Sequence, residues 1–419
     1  MSVLPWWFAA VAVGIGCTHP SDDVPATQQV LAVPTPSGGT EPVWIDVAIP
    51  AGPGPYPVVV YGHGQGTSNL VNCAPDRAPD DVDAVDGESV AAALAGEGYL
   101  AISIDYRNIG AQIPAIGEFR ARDHYVFDAS AFLAAAHFAH DQLGGTNEVA
   151  FIGVSMGSFP ATWATAPLPE LADLQAGLDV RTTIPTAMLG NQIGNTGRSK
   201  DTLASGDRET LALAALSSVL PRAALALDPS ITADDLVGPE GAGLTPAGVD
   251  LVRAEFLDAG CGTNMPAACS ATCASSTFDT VASAHGIVRI DPRDWMTDDT
   301  LDAIAYWSPP DAIDPGADTT NGMLAAMRAL SPAYTLEGPL VAARVFPLVS
   351  RGDHVVTGQL GSSNAPALQY LDRVQATGVT MPDPLPVVTD TTCDHGNYLE
   401  PSRPQCGWSL VLDELATAF

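Results

Sequence analysis

Hydrophobic and polar positions along the chain follow two alternating periods. Short apolar runs rich in β-branched residues, such as 57–61 and 99–104, predict buried strands. Longer segments with apolar residues every three or four positions, such as 89–98 and 123–143, predict helices that end at glycines. Strands that alternate with helices are typical of parallel pairing. The pattern therefore predicts an α/β protein with a doubly wound, mostly parallel sheet.

The same alternation returns near the C-terminus. Residues 341–349 and 385–388 predict strands, 365–376 predicts a short amphipathic helix and 408–419 predicts a terminal helix. Between the two halves, residues 191–338 are too many for a loop and contain helical stretches. This segment predicts a large, mainly helical cap inserted after the sixth strand, and its apolar residues suit either an apolar acyl group or a small helical core.

The clearest chemical signal is a serine between two glycines. An apolar run leads directly into Gly153-Val-Ser155-Met-Gly157, the Gly-x-Ser-x-Gly pattern of a nucleophile elbow. In such an elbow the serine occupies a strained turn between strand and helix, and glycine stands where a Cβ would clash. Ser155 is the predicted nucleophile. A glycine-rich strand end with a surface serine is the competing interpretation of the pentapeptide alone.

A second glycine-rich loop, Gly62-His-Gly-Gln-Gly66, follows the first apolar run. Loops of this kind point backbone N–H groups at the oxyanion that forms during acyl transfer. We predict that the backbone N–H groups of Gln65 and Met156 form this oxyanion hole. His63 is interpreted as shaping the loop rather than as the general base.

An acid and a base are predicted after the two C-terminal strands. Asp353 follows the first of them, and His395 lies 42 residues further on, beyond the second. That separation leaves room for one helix and one strand, so both loops are expected at the same sheet edge as Ser155. Asp353 is the predicted acid and His395 the predicted base. Asp394 is the alternative acid, although it is better interpreted as a solvated loop residue.

The order Ser155, Asp353, His395 resembles that of the α/β-hydrolase superfamily. The motifs that carry the resemblance are those at 62–66, 97–99 with 105–107, 153–157, 351–353 and 395–396. Within the superfamily the chain is similar to secreted bacterial esterases and lipases, including the branch near dienelactone hydrolases and platelet-activating-factor acetylhydrolases. The resemblance implies the α/β-hydrolase fold and cleavage of a small-molecule or lipid ester through an acyl-enzyme. Pro160 predicts a shorter helix than usual after the elbow.

Two other functions remain open at this point. The first is a binding module that has the α/β-hydrolase fold but no catalytic activity, since fold alone does not determine function. A peptidase or an acyltransferase uses the same triad in the second. The proposed chemistry requires no cofactor.

No metal site is predicted either. His137 and His140 lie three apart on a predicted helix without a partner ligand, which favours a solvated face. The aspartates of 298–299 and 311–318 lack the spacing of a calcium loop, and the pair Cys269 and Cys273 lacks a second pair for zinc.

Charge narrows the range of partners. The chain has 17 Lys and Arg against 48 Asp and Glu, which gives a formal net charge of −31. Nucleic acids and anionic membrane surfaces would be repelled by such a protein. Membrane contact is therefore expected only through a lipid anchor.

The N-terminus predicts export. Residues 3–15 form an apolar run too short to span a bilayer, and Gly16-Cys17 after it is similar to a bacterial lipobox, in which the cysteine is lipidated. We expect an outer-membrane or cell-surface lipoprotein, with a periplasmic or secreted protein as the alternative. The predicted organisation is a signal peptide at 1–16, a linker at 17–40, a core at 41–190 and 339–419, and the cap at 191–338.

Seven cysteines are an odd number, and lipidation of Cys17 would leave six. Six cysteines in an exported protein suggest three disulfides. Proximity favours Cys393–Cys406, which would clamp the loop that carries His395. Among Cys261, Cys269 and Cys273 we expect one pair. The remaining one of these three would pair with Cys73.

Overall fold

The computed structural model describes residues 26–35, 38–63, 87–104, 121–187, 245–247, 297–299, 328, 331–353, 366–393 and 399–419. The predicted signal peptide and most of the predicted cap lie outside the described residues. So do several residues singled out above, namely Cys17, Gln65, Cys73, Cys261, Cys269, Cys273, Asp394 and His395.

A mostly parallel sheet forms the centre of the described part. Its strands are β1 (Thr27–Pro34), β2 (Thr40–Ala48), β3 (Tyr56–Gly62), β4 (Leu100–Ile104), β5 (Gly145–Val154) and β6 (Asp179–Thr186). They lie in the order β1-β2-β4-β3-β5-β6. The pairs β1–β2 and β2–β4 are antiparallel, and every pair from β4 to β6 is parallel. The predicted doubly wound, mostly parallel sheet is confirmed.

The chain continues the sheet beyond β6 after the predicted cap. Parallel bridges join Thr183 to Val345 and Thr186 to Leu348. Two short strands, β7 (Val349–Ser350) and β8 (Val387–Val388), then pair in parallel. The prediction of one continuous strand over 341–349 is wrong. On the β6 side, Phe346 and Leu348 still donate to the Thr183 and Pro185 carbonyls, but Pro185 itself has no N–H to donate back. On the other side, where Val345 donates to the Thr380 carbonyl, Pro347 has no N–H to continue the ladder.

Helices cover both faces of the sheet. The described helices are α1 (Gly87–Gly96), α2 (Ala121–Leu143), α3 (Ser158–Trp163), α4 (Ala172–Gln175), α5 (Pro332–Thr335), α6 (Pro366–Ala376) and α7 (Trp408–Ala418). Val58 and Val60 pack with α2 and α3 on one face. Val59 and Tyr61 pack with α1 and α7 on the other. These four residues belong to β3, and burial on both of its faces explains why this strand is continuously apolar. Among the helices in the described ranges, none has the length and apolar character needed to cross a bilayer.

A buried carboxylate anchors the C-terminal helix to the sheet. Glu414 on α7 is 3% exposed. The Thr182 hydroxyl on β6 donates to its Oε1 at 2.8 Å, and an Nη2 of Arg344 lies 3.3 Å from its Oε2. Burial raises the pKa of Glu414 and outweighs the lowering effects of the Thr182 hydrogen bond and the Arg344 charge.

This raised pKa predicts a pH-dependent stability. The folded protein holds the Glu414 proton more tightly than the unfolded chain, so the stabilisation is complete below the ordinary glutamate pKa and is lost as pH rises through the folded-state value. Glu414→Gln does not ionise. Thermal melts from about pH 4 to about pH 7 should therefore show the melting temperature shifting in favour of the variant relative to the wild type. Asp413→Asn, which replaces an exposed neighbour, should give a constant difference. A constant difference for Glu414→Gln as well would contradict the assignment.

Candidate active site

Ser155 lies directly after β5 in a strained backbone conformation. Its φ is 51°, in the left-handed region that residues other than glycine seldom adopt. A 3₁₀ turn, Ser155–Gly157, then leads into α3. Ala187, directly after the neighbouring strand β6, also has a positive φ of 47°. Strained residues of this kind persist where the surrounding structure enforces them, and they cluster at functional sites.

The two glycines of the motif touch each other. A Cβ on Gly153 would lie 2.1 Å from the carbonyl oxygen of Gly157 and 2.8 Å from the backbone nitrogen of Ser158. The turn therefore folds back onto the strand that precedes it. This contact explains the glycine at position 153 and is the strand–turn–helix geometry expected of a nucleophile elbow.

Gly153→Ala is expected to destabilise the protein by about 3 kcal/mol, because the new methyl group meets backbone that has no room to move. Ester hydrolysis should fall with it, since the turn that presents Ser155 has to open. Gly96→Ala is the matched control: it lies at the end of α1 with no atom within 4 Å of an added Cβ. Denaturant titration should show this control unchanged or slightly more stable. Equal stabilities for both variants would argue against the elbow.

Asp353 occupies a buried turn after β7. Its side chain is 0% exposed. Aspartate is almost never fully buried unless it is paired, so burial at this position indicates an internal role. Ser350, the last residue of β7, shapes the turn: its Oγ accepts a hydrogen bond from the Gly352 N–H at 3.0 Å.

The turn that bears Asp353 packs against the loop that leads to His395. The Ser350 hydroxyl donates to the carbonyl of Cys393 at 2.7 Å, and the Arg351 N–H donates to the carbonyl of Val388 at 3.0 Å. A Cβ on Gly352 would lie 2.5 Å from the Cys393 carbonyl oxygen. The two segments therefore meet backbone against backbone. Sequence reasoning missed Ser350, because its role depends on a contact 43 residues away.

Residues 390–393, which precede His395, are held by hydrogen bonds and a disulfide. The backbone N–H and the hydroxyl of Thr392 both donate to the Asp390 carboxylate, at 2.9 and 2.7 Å. The hydrogen bond from the backbone, with that from the side chain, lowers the pKa of Asp390. The predicted disulfide Cys393–Cys406 is confirmed. It links this loop to the segment before α7.

Strand register places the candidate residues at one edge of the sheet. Gly62 pairs with Gly153, and Val154 pairs with Thr186. Across the rest of the sheet Thr186 bridges to Leu348. The carboxyl ends of the parallel strands are therefore aligned, and this edge is where doubly wound sheets bind ligands. The structure brings Ser155, Asp353 and the loop before His395 to this edge.

Three histidines considered above have local surroundings of their own. His63 is fully buried directly after β3, beside the elbow strand. The His140 Nδ1 lies 2.7 Å from the exposed Asp141 carboxylate. The His137 Nε2 lies 2.8 Å from the Leu174 carbonyl and is half-buried, so its interpretation as part of a solvated face is wrong. It was missed because α4 covers it through tertiary packing. Within the described ranges, no group of three His, Cys, Asp or Glu side chains is arranged to hold a metal.

No protein-family model matches the chain, and no curated protein matches it in sequence. Similar solved structures do exist. The rice cell wall degrading esterase LipA from Xanthomonas oryzae is 14% identical, with 95% of this chain and 92% of that chain covered and a TM-score of 0.57. A candidate hydrolase from Legionella pneumophila is 14% identical, with 94% and 88% covered and a TM-score of 0.57.

Lipase A from Candida antarctica in its closed state is 15% identical, with 94% of this chain and 78% of that chain covered and a TM-score of 0.54. Identities this low carry the fold alone. The chain has the α/β-hydrolase fold, as its motifs predicted.

Proposed function

We propose that the protein is a serine hydrolase that cleaves carboxylic esters through an acyl-enzyme. The observation that carries this proposal is the strained backbone of Ser155, with its φ of 51°, at the carboxyl end of a central parallel strand. An L-residue is held in this conformation at a cost of about 1–3 kcal/mol, which the rest of the fold has to offset. The turn holds the Ser155 hydroxyl at the carboxyl end of the strand, on a residue that is 6% exposed, and we propose that this hydroxyl attacks the substrate. The structural neighbours named as esterases and a lipase agree with this chemistry.

In this mechanism the Ser155 Oγ attacks the ester carbonyl while His395 accepts its proton. Asp353 holds the imidazole in the required tautomer and stabilises the imidazolium that forms. The backbone N–H groups of Gln65 and Met156 bind the oxyanion of the tetrahedral intermediate. Collapse of the intermediate releases the alcohol, which takes its proton from His395. Water, activated by the same histidine, then attacks the acyl-enzyme and releases the acid.

The contact between the Asp353 turn and the loop before His395 supports this assignment of acid and base. The two segments are held together by contacts among Ser350, Gly352 and Cys393. An acid and a base that act as one unit require such a fixed separation, because a misplacement of about 1 Å is enough to slow a reaction 100-fold.

The proposed substrate is a small-molecule or lipid ester. One structural neighbour is named as a rice cell wall degrading esterase and another as a lipase, and both names describe enzymes that act on esters. The net charge of −31 disfavours esters presented on anionic membranes. Placement near the dienelactone hydrolase and platelet-activating-factor acetylhydrolase branch stays a prediction from the sequence motifs.

A fluorophosphonate probe tests the proposal on the purified, disulfide-intact protein. Mass spectrometry should locate a single adduct on Ser155, and p-nitrophenyl esters of increasing chain length should be turned over. Heat-denatured protein is the control and should not react. An absence of both labelling and turnover in folded protein would contradict the proposal and favour a binding module. Labelling with amide hydrolysis or transfer to an alcohol would identify the peptidase or acyltransferase alternatives.

We also propose that the protein is exported and anchored through a lipid on Cys17. The Cys393–Cys406 disulfide supports export, because such bonds persist in oxidising compartments. Mass spectrometry of the mature N-terminus, after membrane fractionation, is the direct test. An unmodified N-terminus upstream of Cys17 would contradict the anchor.

A further inference from the structure

One hydroxyl in the elbow acts on the carbonyl of Ser155. The Ser158 Oγ–H donates to the Ser155 carbonyl oxygen at 2.5 Å. Ser158 is the first residue of α3 and is 3% exposed. The bond spans only three residues, so it resembles an ordinary local contact within a helical turn.

The Ser155 carbonyl belongs to the same peptide unit as the Met156 N–H. A peptide unit is planar, and in the trans form its C=O and N–H point in opposite directions. A hydrogen bond that fixes the direction of the Ser155 carbonyl therefore also fixes the direction of the Met156 N–H. This restraint matters here because the positive φ of Ser155 lies outside the φ/ψ regions that most residues favour. The backbone conformation by itself therefore restrains this peptide unit less than it would in a regular helix or strand.

Ser158 is held in turn by a side chain of its own helix, which is itself bonded to a residue on the distant helix α6. The Thr162 hydroxyl donates to the Ser158 carbonyl at 2.8 Å, and its Oγ1 lies 2.5 Å from the Tyr370 hydroxyl on α6. Because the one proton of Thr162 is used toward Ser158, Tyr370 is the donor in the second bond. Tyr370 is 1% exposed, and burial raises its pKa, so it keeps this proton across the working range of pH.

We propose that Ser158 is a positioning residue that aims the Met156 N–H at the oxyanion, with Thr162 and Tyr370 as its support. The inference rests on the proposed function. Donors that are oriented in advance stabilise the transition state more than the bound ester, because the negative charge develops only on reaction. The restraint therefore acts on kcat rather than on substrate binding.

Ser158→Ala tests the proposal. Removal of a whole oxyanion donor costs about 100- to 1,000-fold in kcat, so a donor that is only misdirected should cost about ten- to 100-fold. KM for p-nitrophenyl acetate should stay unchanged. The inhibition constant of a trifluoromethyl ketone, which forms a tetrahedral oxyanion on the enzyme, should rise by the same factor as kcat/KM falls. Ser158→Thr, which keeps the hydroxyl, should restore both values.

Ser130→Ala is the matched control. Its hydroxyl makes the same type of bond, to the Val126 carbonyl at 2.8 Å, on the separate helix α2. It should leave kcat, KM and the inhibition constant unchanged. A fall in melting temperature for Ser158→Ala without a change in kcat/KM or inhibitor affinity would overturn the proposal, because a merely structural hydroxyl behaves in that way.

Tyr370→Phe and the double variant with Ser158→Ala extend the test along the chain of hydrogen bonds. Tyr370→Phe alone should lower kcat by about two- to fivefold, the equivalent of one net hydrogen bond or less. In the Ser158→Ala background it should lower kcat no further, since its effect on the reaction passes through Ser158. Additive losses would overturn the supporting role of Tyr370.

Wild-type protein without Ser155 labelling or turnover would overturn the proposed function and this inference together. Normal wild-type labelling with an unaffected Ser158→Ala would overturn the inference alone.

Discussion

Ser155→Ala is expected to reduce kcat for p-nitrophenyl esters by about 10⁴- to 10⁶-fold, the range found when a triad nucleophile is removed. The effect falls on kcat because no acyl-enzyme forms without the hydroxyl. Alanine at φ 51° is strained to the same degree as serine, so the free energy of unfolding should change little. Steady-state kinetics, fluorophosphonate labelling and a thermal melt on the same sample measure all three.

Ser130→Ala again provides the control for Ser155→Ala, because it removes a hydroxyl of the same size from a buried helix away from the sheet edge. This variant should retain wild-type turnover. Turnover that survives in Ser155→Ala would show that another residue is the nucleophile, and the elbow would then be a structural feature of the fold only.

Asp353→Asn is expected to lower kcat by about 10⁴-fold, because an amide at this position favours the wrong histidine tautomer and does not stabilise the imidazolium. The replacement is nearly isosteric, which suits a side chain that is 0% exposed. In the proposed mechanism the profile of kcat/KM against pH should also change, because the imidazolium that forms loses the negative charge that stabilises it.

Asp372→Asn is the matched control for the acid, since it removes an exposed carboxylate from α6 and should have no effect on either measurement. A near-normal rate in Asp353→Asn would disprove its role as the acid. The assignment would then pass to Asp394, which directly precedes His395 in the sequence.

The sequence predicted the elements of the core well where local chemistry decides them. Strands such as β3 are continuously apolar because both sheet faces are covered, and α2 has helical periodicity from its packing against that sheet. The glycine at 153 was recognisable because glycine alone lacks the Cβ that would meet Gly157. The prediction failed at 341–349, where apolar composition was given more weight than the missing N–H of Pro347.

The candidate site likewise combines features that local sequence encodes with contacts that depend on long-range packing. Local sequence was enough to predict the order of Ser155, Asp353 and His395, the glycine spacing of the elbow and the Cys393–Cys406 pair, because each is encoded in residues close together or in their order along the chain. Long-range packing, by contrast, brings the Ser350 hydroxyl to Cys393 and brings Tyr370 to Thr162, from 208 residues away. Such contacts form when distant helices and turns pack against one sheet, and no local periodicity specifies which buried hydroxyl will meet which partner.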